Sequence, residues 1–386
     1  MQAQVVSSSQ GSRTPLRPPQ TRPTRADIDL GAIARNVRSL RGVAADSRLY
    51  AVVKADAYGH GLTPLARWFE RQGVDGLCVA LAEEGLTLRA CGVTAPILVL
   101  NGAYGDAHAR VLSAHLTPVI YSYAQAEAFA HAAPGAAVSV HLKVDTGMGR
   151  LGVAVHELGA VLEGMRALPS VRIDGVMTHL SSADSDAAFT RLQLDRFDAA
   201  VRLVRAAGHS PRFIHAANSA GTYAFAEARH NLVRVGLALY GVAPAAGHGE
   251  DLRPALRLRT EVLALRDLPE GSPVGYDRTF VTQRASRVAT VPIGYGDGLL
   301  RAASNRGAML VRGQRCPIVG RISMDLTTLD VTDLPECEVG DEVIVIGSQG
   351  EQEIGAPELA RACDTIAYEV LTNISPRVPR VYLGAE

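Results

Sequence analysis

The sequence predicts an α/β protein in which an N-terminal (β/α)8 barrel of the TIM type is followed by a C-terminal, mainly antiparallel β domain. Short apolar runs alternate with segments of helical spacing over residues 49–241. Continuous apolar runs are typical of parallel strands that are buried on both faces. After about residue 255, strand-like segments broken by Gly and Pro follow at short intervals, which is typical of antiparallel β structure.

The predicted organisation has three parts: a disordered tail at 1–25, the barrel at 26–255 and the β-rich domain at 256–386. The tail is rich in Ser, Pro, Gln and Arg and lacks the apolar stretch of a secretory signal. The whole chain carries 39 Lys and Arg against 39 Asp and Glu, so its charge does not favour a nucleic-acid partner. No apolar run reaches the roughly 20 residues of a membrane-spanning helix. We therefore expect a cytoplasmic protein without a membrane partner.

The five cysteines are scattered and never spaced as CxxC. This spacing favours a reducing compartment over a disulfide scaffold, and it predicts no metal site.

Residues suited to chemistry follow several of the predicted barrel strands. Barrel enzymes place their active sites at the carboxyl ends of the strands. If one apolar run were not a strand, an open sheet would replace the barrel. The predicted strands are 49–54, 76–80, 97–100, 117–122, 138–146, 173–180, 212–219 and 232–241, and the residues at or just beyond a strand end are Lys54, Thr146, His179, Ser219 and Gly236.

Lys54 ends the first of these strands, in the segment AVVKADAYGHG at 51–61. A single lysine in this position is more often exposed to solvent just beyond the strand. Here Tyr58 and His60 follow within a few residues, together with two glycines. Burial disfavours the ammonium form, and a lysine of lowered pKa in a barrel mouth suits a Schiff base with a carbonyl cofactor.

The same segment resembles the attachment site for pyridoxal 5′-phosphate (PLP) in the alanine racemase family. The resemblance runs from about Asp27 to Val381 in family order. It implies that Lys54 carries PLP as a Schiff base. The further matching segments are KVDTGMGRLG (143–152), HAANSAG (215–221), VRVGLALYG (233–241), VGYDRTF (274–280), VPIGYGDG (291–298), GRISMD (320–325) and AYEVLTNISPRVPR (367–380).

The resemblance also implies a set of cofactor-binding residues. Arg234 matches the arginine that donates to the pyridine nitrogen, and His179 matches a histidine that links this arginine to a catalytic tyrosine. Read alone, His179 would more often be a histidine of the core, and Ser219 a helix N-cap. The residues implied for the phosphate are Tyr58, Ser219, Gly236, Leu237 and Tyr368.

Racemisation needs acid/base groups on both faces of the substrate α-carbon, and the resemblance implies Lys54 and Tyr276 for these roles. In the family this tyrosine comes from the other subunit, which implies a homodimer with shared active sites. The substrate carboxylate is expected at Arg150 and at the Met324 N–H. The supporting residues are Lys143, which is carbamylated in some members but is equally well explained by pairing with Asp145 or water, together with Tyr295 and Asp325.

The implied function is the interconversion of L-alanine and D-alanine on PLP, with D-alanine supplied for peptidoglycan. A catabolic role would leave the same sequence pattern. Two alternatives remain: another enzyme of the same fold, such as a decarboxylase or a racemase of broader specificity, and a non-enzymatic PLP-binding homeostasis protein. The last class is a lone barrel, so the β-rich domain argues against it.

Overall fold

The N-terminal part of the chain forms a nearly closed barrel of parallel strands, as predicted. The computed structural model describes residues 21–245 and 247–384. The first seven barrel strands pair in parallel, each with the next one along the chain. The strands are Arg48–Val52, Gly76–Val79, Ile97–Val99, Thr117–Ile120, Val138–Asp145, Val171–Met177, Phe213–His215 and Leu232–Val235, with the short strand Val153–Ala154 beside the fifth.

The barrel closes where the last strand meets the first. Leu232–Val235 pairs in parallel with Arg48–Val52. On its other side, the Arg234 N–H donates to the Ala217 carbonyl at 3.1 Å, across the gap to the preceding strand. The open-sheet alternative is therefore wrong.

Helices cover the outside of the barrel, and side-chain caps start several of them. The carboxylate of Asp29 accepts from the Ala32 N–H at 2.8 Å, and that of Asp186 accepts from the Phe189 N–H at 2.9 Å. The helices of this part are Leu30–Ala44, Leu62–Arg71, Ala82–Ala90, His108–Ser113, Tyr123–Ala132, Leu158–Met165, Ala187–Ala206 and Ser219–Ala224, with 3-10 turns at Ala226–Ala228 and Leu237–Tyr240.

The C-terminal part is β-rich and mainly antiparallel, as predicted. Two short helices, Ala356–Ala362 and Ala367–Thr372, return the chain towards the barrel, and 3-10 turns lie at Tyr276–Arg278, Tyr295–Asp297 and Arg301–Ala303. The strands are Leu256–Glu261, Ala264–Leu268, Pro273–Val274, Phe280–Val281, Ser286–Val291, Ala308–Val311, Gln314–Pro317, Thr327–Asp330, Glu342–Gln349, Gln352–Ile354 and Arg380–Leu383.

The first strand, Arg25–Asp29, lies in this C-terminal sheet rather than in the barrel. It pairs antiparallel with Leu256–Glu261 and parallel with Arg380–Leu383. Residues 26–29, which the sequence assigned to the barrel, therefore belong structurally to the other sheet. The apolar side chains of this strand face the core and are fully buried.

The start of the described chain is packed rather than free. Thr24, within the tail expected at 1–25, is fully buried, and its hydroxyl donates to the Pro292 carbonyl at 2.6 Å. Residues 1–20 of the expected tail lie outside the described residues. In the part of the chain that the structure describes, no helix is both long and apolar enough to span a membrane.

Candidate active site

A cavity of about 290 Å³ lies at the carboxyl ends of the barrel strands. Four cationic side chains line it: Lys54, Lys143, Arg150 and Arg234. No carboxylate stands among the described residues that line it. The two lysines are the only lysines in the sequence. The cavity is therefore strongly electropositive and suited to anionic groups. Further predicted residues in its wall are Tyr58, His179, Ser219, Gly236, Leu237 and Tyr368.

Lys54 enters the cavity at the start of an unusual backbone turn. The four residues Ala55–Tyr58 all have positive φ angles, between 51° and 54°. L-residues avoid this left-handed conformation, at a cost of about 1–2 kcal/mol each. The left-handed turn brings Lys54 and Tyr58 to the same cavity. Burial and then the charge of Arg150 lower the pKa of Lys54, which favours the nucleophilic amine.

Hydroxyl and backbone N–H groups converge at one end of the cavity. The Ser219 hydroxyl oxygen accepts from the Gly236 N–H at 3.1 Å. A Cβ on Gly236 would lie 2.4 Å from the Tyr58 hydroxyl oxygen, so only glycine lets this phenol approach the backbone. Burial raises the pKa of Tyr58 and of Tyr368, so both phenols stay protonated and can donate. The Leu237 N–H has no hydrogen-bond partner among the described residues.

Arg234 lies buried in the wall of the cavity. Its guanidinium donates to His215 Nδ1 and to the Thr178 carbonyl, both at 2.8 Å. Burial lowers the pKa of Arg234 to about 10, so it stays charged at neutral pH. The Nε–H forms no hydrogen bond with any described residue, which leaves one donor for a ligand.

His179 contacts the same guanidinium. Its Nδ1 accepts from Arg234 at 3.5 Å. Burial and then the charge of Arg234 hold the pKa of His179 well below its usual range. Because Nδ1 faces a donor, the neutral ring carries its proton on Nε2. His179 is therefore a neutral donor in the cavity wall.

Sequence reasoning missed a histidine pair behind Arg234. His215 Nε2 and His141 Nδ1 lie 2.8 Å apart, and both residues are buried. Because His215 accepts from Arg234 on Nδ1, it donates from Nε2 to His141. The available signal was one histidine in each of two predicted strands, at positions facing the barrel interior. Asn101 in the cavity wall was missed too, although it directly follows an apolar run.

Lys143 lies 6 % exposed beside these cations. Burial and then the charge of Arg234 lower its pKa to about 8. No carboxylate of the described residues lies within salt-bridge distance of it, so the pairing with Asp145 is not formed. The Asp145 carboxylate accepts instead from the Gly147 and Met148 N–H groups, each at 2.9 Å. The loop that carries Arg150 is thereby fixed.

The remaining predicted residues lie on the surface of the C-terminal part. Tyr276 is 68 % exposed and Met324 is 52 % exposed. Tyr295 is also exposed, and Asp325 forms an ion pair with Arg377 at 2.6 Å. None of the four predicted residues lines the cavity that holds Lys54. One chain therefore holds the predicted cofactor residues and Arg150 in the cavity, whereas the other predicted substrate-side residues lie apart from it on the surface.

Comparison with known families decides the classification. Residues 28–244 match the family described as "Alanine racemase, N-terminal domain", and residues 255–382 match "Alanine racemase, C-terminal domain". The chain belongs to the alanine racemase family. The alanine racemase of Sorangium cellulosum is 48% identical over 375 residues, which cover 94% of this chain and 99% of that one. That of Symbiobacterium thermophilum is 44% identical over 368 residues, covering 94% of this chain and 98% of that one.

Solved alanine racemase structures are similar throughout the fold. The alanine racemase of Bacillus anthracis with bound L-Ala-P has a TM-score of 0.89 and 35% identity, covering 95% of this chain and 97% of that one. That of the D-cycloserine producer Streptomyces lavendulae has a TM-score of 0.86 and 37% identity, covering 95% and 98%. The barrel and the β-rich part are therefore those of an alanine racemase.

Proposed function

We propose that this protein is an alanine racemase that binds PLP on Lys54 and interconverts L-alanine and D-alanine. The observation that carries the proposal is the cavity with four cationic side chains and no carboxylate among its described lining residues. PLP brings a phosphate to such a site and alanine brings a carboxylate. The relatives named alanine racemase support the choice of substrate.

The residues present fit PLP at both of its polar ends. Ser219, Tyr58 and the free Leu237 N–H would hold the phosphate. The unpaired Nε–H of Arg234 suits the pyridine nitrogen, which would stay unprotonated opposite a donor that keeps its own proton. When bound, PLP supplies a carbonyl for amines and a ring system that stabilises negative charge at the substrate α-carbon.

Lys54 is the acid/base group on one face of the substrate. Burial and then the charge of Arg150 lower its pKa, which favours proton transfer to and from the substrate by this amine. Arg150 and the Met324 N–H would bind the carboxylate. The Met324 N–H has no hydrogen-bond partner among the described residues, which leaves it available.

Tyr276 is the acid/base group on the other face, supplied by the second subunit of a homodimer. Its 68 % exposure in one chain supports this assignment, since the side chain is accessible to a second subunit. We place His179 within hydrogen-bonding reach of this phenol, with its Nε2–H as the donor. Each active site would then contain residues of both subunits.

Two tyrosines would narrow the entrance of the cavity and favour a small substrate. Tyr368 lines the cavity, and we place Tyr295 of the second subunit opposite it. Two rings at the entrance leave room for a methyl group rather than a long side chain. D-alanine for peptidoglycan is the role that we propose for the product.

The test combines mass-spectrometric mapping of the modified lysine with a measurement of turnover. Protein purified with PLP is reduced with borohydride and digested, and the modified lysine is mapped by mass spectrometry. Because the chain has only two lysines, modification of Lys143 instead of Lys54 would contradict the assignment. Loss of optical rotation is then measured with L-alanine, serine, lysine and ornithine. Faster racemisation of any of the larger amino acids would overturn the proposed specificity.

A further inference from the structure

Four side chains of alternating charge pair with one another at the turn that carries Tyr295. Arg22 donates two hydrogen bonds to the Asp297 carboxylate, at 3.1 and 2.5 Å. Arg377 lies 3.5 Å from the same carboxylate and donates to Asp325 at 2.6 Å. Asp297 is fully buried, whereas both arginines are partly exposed. A buried carboxylate is stable only with such partners, so Asp297 depends on the two arginines.

Asp297 in turn fixes the shape of the turn. Its carboxylate accepts from the Gly294 N–H at 3.1 Å. The Tyr295 N–H donates to the Ser323 carbonyl at 3.0 Å, and Ser323 directly precedes Met324. A Cβ on Gly294 would lie 2.3 Å from the Ser323 oxygen, so the two segments are in close backbone contact. The position of Met324 therefore depends on the turn that Asp297 holds.

We propose that Arg22 and Asp297 are positioning residues for substrate binding. They hold Tyr295 and the Met324 N–H in the arrangement that the substrate meets at the shared active site. Neither residue touches substrate or PLP; they act through the turn. The inference rests on the proposed function, because that function makes Tyr295 and Met324 part of the substrate site. The segment before the first strand, which carries Arg22, would then contribute to substrate binding.

Arg22 is the residue to change, since removal of a buried carboxylate at Asp297 risks unfolding. Arg22→Gln removes the double hydrogen bond and the charge, and Arg22→Lys keeps the charge. Arg25→Gln is the matched control. Arg25 has a side-chain exposure of 31% against 28% for Arg22, and it pairs with Asp27, away from the turn.

The first measurement is steady-state racemisation of L-alanine by the holoenzyme. We expect Arg22→Gln to raise KM about fivefold with little change in kcat, because the variant loses the same binding free energy in the ground state and in the transition state. Arg22→Lys should recover part of this loss, and Arg25→Gln should keep the wild-type KM. An unchanged KM in Arg22→Gln, an equal rise in Arg25→Gln or no recovery in Arg22→Lys would overturn the inference.

The second measurement does not depend on activity. Amide hydrogen exchange of residues 293–299 and 322–326 should be faster in Arg22→Gln than in the wild type, and unchanged in Arg25→Gln. Equal exchange rates in all three proteins would overturn the inference. If the wild type does not racemise alanine, the proposed function fails, while the exchange measurement still decides whether Arg22 holds the turn.

Discussion

At the scale of single residues, burial has altered the pKa values of charged groups that line the cavity. Lys54 and Lys143 are the only lysines of the chain, and the pKa of each is lowered. Sequence patterns placed both residues at the site. They could not show that no carboxylate of the described residues pairs with Lys143, because this depends on where the Asp145 side chain turns.

Lys143 is expected to form a carbamate with carbon dioxide. Its pKa of about 8 leaves a large neutral fraction near pH 8, and only the neutral amine forms the N–C bond, with loss of a proton. The charges of Arg150 and Arg234 would stabilise the product. Carbon-13 NMR in labelled bicarbonate should show a carbamate signal that Lys143→Met lacks. A signal of equal size in that variant would assign it to another amine.

His60 is expected to make folding sensitive to mild acid. Burial lowers its pKa to about 4, whereas the unfolded value is about 6.5. Between these values the unfolded chain binds a proton that the folded chain does not, so stability falls as the pH falls. At pH 5 the loss is about 2 kcal/mol.

The measurement is the free energy of unfolding in urea at pH 7 and at pH 5. His60→Phe, which replaces the imidazole with a ring that cannot ionise, should reduce the difference between the two values by about 2 kcal/mol. The exposed His131→Gln provides the control. An equal difference in wild type and His60→Phe would contradict the assignment.

At the scale of elements, the tertiary structure differs from what the local sequence pattern predicts at two places. The barrel strands were predictable because a strand buried on both faces is apolar throughout. The left-handed turn at Ala55–Tyr58 was not, since alanine and aspartate rarely adopt positive φ, and surrounding contacts impose it. The strand Arg25–Asp29 was not predicted, because its nearest partner in sequence begins at Leu256.

Ala55→Gly is expected to stabilise the protein. Glycine removes the Cβ clash of the left-handed conformation, worth about 1–2 kcal/mol, and adds about 0.5–1 kcal/mol of entropy loss on folding. The net gain is about 0.5–1 kcal/mol by denaturant unfolding. Ala199→Gly, in the right-handed helix Ala187–Ala206, should instead destabilise by about 1 kcal/mol. Destabilisation by both changes would show that the turn is unstrained.

At the scale of the whole molecule, the predicted site is divided between two surfaces of one chain. The sequence order of the motifs identified the residues of both surfaces. It could not show that Tyr276 lies outside the Lys54 cavity, because the distance between them depends on how the β-rich part packs on the barrel.

Complementation between inactive subunits is expected to test the shared site. Lys54→Ala and Tyr276→Phe should each abolish most racemisation when alone. In a mixed dimer, one site combines the intact Lys54 of one chain with the intact Tyr276 of the other. Mixing and exchanging the two variants should therefore restore activity. No recovery from dimers shown by mass to be mixed would place both residues in the same chain.

The pairing of Arg25–Asp29 also determines when the sheet of the β-rich part can form during protein synthesis. This strand is synthesised before the barrel, but Arg25 pairs with Arg259 and Asp29 with Leu383, which are both synthesised after the barrel. At about 5–20 residues per second, the first of these partners follows after about 10–50 s. Until then the apolar side chains of the strand have no sheet to cover them. The β-rich part can be completed only after Leu383 has been made, so its assembly follows the synthesis of all the barrel strands.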